Sequence, residues 1–131
     1  MPTVDSFSHV TLTVTDLAAS TAWYERALGM TRGRDMSGPG WRRTLMLGGP
    51  GVVLGLQAHE RTPAGDRFDE TRVGIDHLSI ACTDRAEVQA WLDRLEESGV
   101  AHSPISPEPA NVATCKDPDG IAIEFFAPPS A

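Results

Sequence analysis

A chain of 131 residues is one ordinary domain or two small modules sharing a core, and 40% hydrophobic with 22% charged residues is a soluble globular make-up. Its net charge of −7 argues against nucleic acid or an anionic membrane as the main partner. No apolar run is long enough to span a bilayer, and Met1-Pro2-Thr3-Val4-Asp5 does not read as a signal peptide, so the expectation is a cytoplasmic protein.

Residues 8–14 alternate, with Val10, Leu12 and Val14 on one face and His9, Thr11 and Thr13 on the other. Period two with one polar face predicts a half-buried strand. Asp16 is placed to cap a helix over 17–28, which carries Ala19, Ala22, Trp23, Ala27 and Leu28 at helical spacing and stops at Gly29. Residues 30–35 predict a short strand and 36–40 a loop. Residues 41–47 and 52–58 predict a hairpin around Gly48-Gly49-Pro50-Gly51, so the first half reads β-α-β-β-β. Residues 60–72 are polar, charged and turn-rich, and read as the connection between halves.

The order then recurs. Residues 75–82 predict a strand, and Asp84 caps a helix over 85–98 that Gly99 ends. A short strand over 100–103 and a loop over 104–109 follow. Strands over 111–116 and 121–126 flank the turn Asp117-Pro118-Asp119-Gly120. The tail 127–131 is expected to be loosely held. Cys82 and Cys115 lack zinc-type spacing and read as reduced core thiols. The expected organisation is a module over 5–59, a linker over 60–73 and a second module over 74–128. A half of about 65 residues buries a marginal core alone, so the halves are expected to depend on each other.

The recurrence is visible residue by residue. Shifted by 68 positions, His9 falls on His77, Thr15-Asp16 on Thr83-Asp84, Ala22-Trp23 on Ala90-Trp91 and Arg26 on Arg94. A shift of 69 lays residues 51–56 over 120–125 and sets Gly55 opposite Glu124. Parity puts His77 with Ser79 and Ala81, Glu124 opposite Ile121, Ile123 and Phe125, and Gly55 with Val53, Gln57 and His59. The apolar faces suit sheets packed under helices. A carboxylate on the other face needs water, a cation or a donor. Two imidazoles and a carboxylate make a three-ligand set for a divalent metal, with positions left for water or substrate.

These features together resemble the vicinal oxygen chelate superfamily, also called the glyoxalase/bleomycin resistance/extradiol dioxygenase family. The resemblance covers nearly the whole chain. It rests on Phe7-Ser8-His9-Val10-Thr11-Leu12-Thr13-Val14-Thr15-Asp16-Leu17, on Trp23-Tyr24-Glu25-Arg26-Ala27-Leu28-Gly29-Met30, on Gly74-Ile75-Asp76-His77-Leu78 and on Asp117-Pro118-Asp119-Gly120-Ile121-Ala122-Ile123-Glu124. It implies an α+β fold of two paired βαβββ modules whose strands form a half-open, barrel-like sheet around a cavity. It also implies His9, His77 and Glu124 as metal ligands and a homodimer as the assembly. The position that is Glu or Gln in glyoxalase I-like members falls on Gly55, which has no side chain to offer.

Such a site would bind Fe(II), Mn(II), Ni(II) or Zn(II), chelate a small oxygenated substrate through two neighbouring oxygens, and stabilise negative charge as it develops. Lyase or isomerase and dioxygenase chemistry both fit. Thr11, one strand step from His9, is a candidate for positioning a reacting oxygen, or it satisfies local hydrogen bonds. Gln57, His59 and Ser79 are candidate substrate contacts. Trp41 is a candidate pocket wall, and Arg42 and Arg43 either meet an anionic substrate or are solvated. His102 reads as a surface residue, Trp23 and Trp91 as core, and Cys115 as a small buried hydrophobe. The named subfamilies each lack something here. Glyoxalase I needs the fourth ligand, and extradiol dioxygenases add a His and a Tyr whereas the only tyrosine is Tyr24 on the first helix. Fosfomycin transferases add a potassium loop and a dense cationic pocket that have no counterpart in this chain. The alternative class is a non-catalytic protein that binds or sequesters an antibiotic or another aromatic natural product.

Overall fold

The computed structural model describes residues 1–131, and its internal contacts divide them into two compact units, Met1–Asp66 and Arg67–Ala131. No helix is long and apolar enough to cross a membrane.

The first unit contains β1 (Val10–Thr13), α1 (Leu17–Leu28), β2 (Thr31–Gly38), β3 (Trp41–Leu47) and β4 (Val53–His59). Its sheet runs β1-β4-β3-β2, with β1 parallel to β4 and the other pairs antiparallel. Asp16 caps α1 by accepting from the Ala19 amide at 3.0 Å, and Gly29 closes it at φ 65° with its N–H on the Glu25 carbonyl. The buried stripe of α1 is rotated from the expected one. Ala19 and Ala22 are exposed, while Ser20, Thr21, Trp23, Tyr24, Ala27 and Leu28 are buried. Tyr24 decides the rotation, because its large ring, edge-on to Trp23 at 4.9 Å, removes more apolar area from water than two alanines. The Thr21 hydroxyl tolerates burial by donating to the Leu17 carbonyl at 2.6 Å. Below the helix lie Leu12, Val14, Met46, Leu54 and Leu56, all buried. Burial of such side chains stabilises the unit by about 1.5–3 kcal/mol each.

Strand β2 continues where a loop was expected. Gly38 pairs with Trp41, so Pro39-Gly40 is a two-residue turn, and Gly40 takes φ 77°, as the second residue of a type II turn must.

The second unit contains β5 (His77–Ala81), α2 (Arg85–Glu97), β6 (Asn111–Lys116) and β7 (Ala122–Ala127). Its sheet runs β5-β7-β6, with β5 parallel and β6 antiparallel to β7. Val88, Leu92 and Leu95 of α2 are buried, as are Ala113, Cys115, Ile123, Phe125 and Ala127 on the sheet. Trp91 is half-buried and stacks on Phe125 with ring centroids 5.2 Å apart. Both cysteines are free and buried.

The expected strand over 100–103 is reduced to a single bridge between His102 and Cys115. Ser103 and Ser106 amides still donate to the carbonyls of Thr114 and Val112, at 2.8 Å each. Pro104 and Pro107 have no N–H to continue a ladder. The serine hydroxyls take the place of strand carbonyls, accepting from the Thr114 and Val112 amides at 2.9 Å. The architecture is α+β with two βαβββ-like modules, the second carrying this bridge in place of its second strand, and neither sheet closes into a barrel.

Candidate functional site

Strands β5 and β7 run parallel with Ser79 opposite Glu124, which puts His77, Ser79 and Glu124 on the face turned away from α2. Ser79 Oγ donates to Glu124 Oε1 at 3.0 Å, and Glu124 Oε2 lies 3.5 Å from His77 Nε2. The other ring nitrogen, Nδ1, is 2.8 Å from Asp76 Oδ1. Glu124 is the most enclosed of the group, its side chain 19% exposed against 42% for His77. The Asp76 hydrogen bond and then the Glu124 charge raise the His77 pKa above its ordinary value. Asp76 has no place among the residues expected from sequence. Its signal was local: a carboxylate directly before a strand-opening histidine can reach back to Nδ1.

The first unit presents an equivalent face on β1, β3 and β4. Thr11 pairs with Gly55, and a Cβ on Gly55 would lie 2.6 Å from Thr11 Oγ1. The space where a fourth ligand would begin is therefore filled by the threonine. Further along, Arg43 pairs with Gln57 and Trp41 with His59. Arg43 Nε donates to Gln57 Oε1 at 2.6 Å, Gln57 Nε2 lies 3.2 Å from His59 Nε2, and the Arg43 guanidinium stands 5.1 Å over the Trp41 ring. Gln57 is buried and His59 exposed.

His9 lies just before β1, exposed, with Nδ1 3.0 Å from Ser8 Oγ. Within neither unit do three histidine, cysteine or carboxylate side chains converge on one point. His77 and Glu124 thus meet, while His9 stands in the other unit. A cleft of about 630 Å³ opens at the N-terminal end of α1, lined by Asp16, Thr21, Asp35, Arg42, Arg43 and Thr44 among others, and holds none of the candidate metal ligands.

One further expectation changes. His102 is not a surface residue: its side chain is 15% exposed, with Nδ1 2.6 Å from the Ser103 carbonyl and Nε2 3.1 Å from Glu96 Oε1. Tyr24 is wholly buried under α1 and leaves the open face of the sheet without a phenol. Burial pushes the Cys115 thiol up to about 12, so it stays protonated and inert at neutral pH.

Compared with known proteins, the chain matches the sequence model of the Glyoxalase/Bleomycin resistance protein/Dioxygenase superfamily over residues 6–125. No curated protein matches it. Among solved structures it is similar to a glyoxylase/bleomycin resistance protein/dioxygenase domain from Frankia sp. EAN1pec, at 30% identity and TM-score 0.86, covering 95% of this chain and 93% of that one. A glyoxalase family protein from Enterococcus faecalis shares the fold at 21% identity and TM-score 0.76, over 93% and 97% of the two chains. So does a variant of the genomically encoded fosfomycin resistance protein FosX from Listeria monocytogenes, complexed with Mn(II) and 1S,2S-dihydroxypropylphosphonic acid. Its identity is 21% and its TM-score 0.69, over 95% and 91%.

Proposed function

Because this chain belongs to the glyoxalase/bleomycin resistance protein/dioxygenase superfamily, we propose that it is a metal-dependent member acting on a small oxygenated molecule, with His9, His77 and Glu124 as the ligands of a divalent cation. The observation that carries the reading is the His77–Glu124 pair. With Nδ1–H committed to Asp76, a neutral His77 turns the lone pair of Nε2 towards Glu124 Oε2, 3.5 Å away. Two acceptors at that spacing repel unless a proton or a cation lies between them. A group that accepts two electron pairs at once fits the donor set: one imidazole nitrogen and one carboxylate oxygen suit Mn(II), Fe(II), Ni(II) or Zn(II).

The surrounding residues support the same reading. Asp76 fixes the tautomer and orientation of His77, and Ser79 holds the other Glu124 oxygen, which is how carboxylate and hydroxyl neighbours ordinarily aim metal ligands. Bound there, a divalent cation would supply Lewis acidity to two neighbouring substrate oxygens. The Thr11 hydroxyl is the group on β1 available to hold a substrate oxygen. Its contact with Gly55 leaves no room for a fourth ligand from β4, which argues against four-ligand glyoxalase chemistry. With Tyr24 buried, the phenol that extradiol cleavage usually adds is absent, and lyase or isomerase chemistry is favoured. The FosX neighbour, which holds Mn(II), is consistent with a metal in this fold. A homodimer completes the reading, and a monomer at micromolar concentration in sedimentation equilibrium contradicts that part.

Equilibrium dialysis against Mn(II), Fe(II), Ni(II) and Zn(II) tests the proposal. Close to one ion per chain for at least one metal is expected. No stoichiometric uptake of any of the four overturns it and leaves the sequestering, non-catalytic class in its place.

A further inference from the structure

The row Trp41, Arg43, Gln57 and His59 has a polarity set from one end. Arg43 can only donate, so Gln57 Oε1 is the acceptor of its 2.6 Å bond and Gln57 Nε2 is a donor. That amide nitrogen lies 3.2 Å from His59 Nε2, so the row continues to the imidazole. Trp41 is held in turn. Its indole lies across Gly38, where a Cβ would come within 2.5–2.8 Å of the ring, and the Arg43 guanidinium covers it at 5.1 Å. Gln57, only 8% exposed, is the buried anchor of the row.

Both terminal NH₂ groups of Arg43 are left over. Arg32, Arg85, His77 and His102 each lie within ion-pair distance of a carboxylate, and Arg43 does not. A half-buried guanidinium, fixed at Nε and against one ring and without a carboxylate partner, keeps its outer N–H groups open to an incoming anion. Its planar outer edge presents parallel N–H donors in the geometry that matches a carboxylate or a phosphonate. We propose that Arg43 docks an oxyanion group of the ligand, a carboxylate or phosphonate carried on a small organic body, and that Gln57 and Trp41 are its positioning residues. The assignment deepens the functional reading above and rests on it only for calling that ligand the substrate.

The test uses the full chain in chelator, titrated with benzoate, phenylphosphonate and, as the neutral control, benzamide. The readout is the ¹H–¹⁵N signal of Arg43 Nε–H, assigned by its loss in Arg43→Gln. Saturable shifts with benzoate or phenylphosphonate and none with benzamide are expected, and the tighter of the two anions identifies the group. Affinity is expected to fall about tenfold or more in Arg43→Gln. Several-fold loss is expected in Arg43→Lys, which keeps the charge and loses the fork, and in Gln57→Leu, which frees it. Backbone amide spectra of the variants establish that they are folded. Failure of both anions to saturate, equal affinity in folded Arg43→Gln, or benzamide binding as tightly overturns the proposal. A parallel Mn(II) titration of wild type separates the two claims. Anion docking without metal uptake sinks the metal reading and leaves the oxyanion site, and metal uptake without anion docking does the reverse.

Discussion

Thr11 and Gly55 are neighbours on parallel strands, and only one of them has room for a side chain. A methyl on Gly55 would meet Thr11 Oγ1 at 2.6 Å and Cγ2 at 3.1 Å. Gly55→Ala is expected to destabilise by about 1–3 kcal/mol through overpacking. In Gly55→Ala/Thr11→Ala most of that loss should return, because the clashing atoms are gone; a double-mutant cycle by urea unfolding measures the coupling. Additive losses would show that Thr11 is not the obstacle. His102 is the other residue whose role its type did not announce. Both ring nitrogens face acceptors, Ser103 O and Glu96 Oε1, so the imidazolium satisfies both. The Ser103 carbonyl first, and Glu96 after it, raise its pKa above the ordinary 6.5. A raised folded pKa makes this contribution fully present below about pH 6.5 and lost as pH rises through the folded value. Melting curves should therefore show a larger advantage of wild type over Glu96→Gln at pH 6 than at pH 8, by roughly 1–3 °C for so exposed a carboxylate. A difference that does not change with pH contradicts this role for the pair. Neither contact could be read beforehand: Thr11 meets Gly55 across 44 residues of chain, and His102 sits in a Pro-Ser stretch whose composition says only loop.

Elements whose signal is periodic were readable, because burial of one face imposes the period. Strands β1, β3 and β6 and both helices fall within a residue or two of expectation, and the Asp16 and Asp84 caps lie where the sequence puts them. Elements made by turn chemistry or by side-chain hydroxyls were not. The extension of β2 through Met36-Ser37-Gly38 depends on Pro39-Gly40 closing a tight turn, and the same residue types also make open loops. Beside β6, Ser103 and Ser106 stand in for a strand by accepting from backbone amides, a use of serine without any periodicity. Ser103→Ala and Ser106→Ala are each expected to cost about 1 kcal/mol. Hydrogen exchange at the Thr114 and Val112 amides should accelerate respectively, while Phe125, inside the β6–β7 ladder, stays protected. Unchanged exchange at those two amides would mean that the hydroxyls contribute nothing to this edge. Period two on β5 and β7 was readable and puts His77 and Ser79 on one face of β5, but it fixes a face and not a register. The parallel register seen in the structure is what carries Ser79 and His77 to Glu124.

For the molecule as a whole, the internal repeat accounts for both the resemblance and the difference between the modules. Each begins with a strand preceded or opened by histidine and continues into an Asp-capped helix. They differ at the equivalent last-strand position, where Gly55 packs against Thr11 and Glu124 bonds to Ser79. Family membership and fold were thus contained in the sequence. The orienting role of Asp76 and the fixed polarity of the Arg43 row emerged only from three-dimensional contacts. Asp76→Asn keeps the side-chain shape while removing the charge that secures the His77 tautomer, and is expected to weaken metal binding about 10–100-fold. The central claim is that Glu124 is a metal ligand rather than a hydrogen-bonded carboxylate of the sheet. The direct measurement is the Mn(II) affinity of Glu124→Gln, which keeps an oxygen for Ser79, against wild type by isothermal titration calorimetry at neutral pH. A fall of about a hundredfold or more is the expected result. Equal affinity in a folded variant would contradict it.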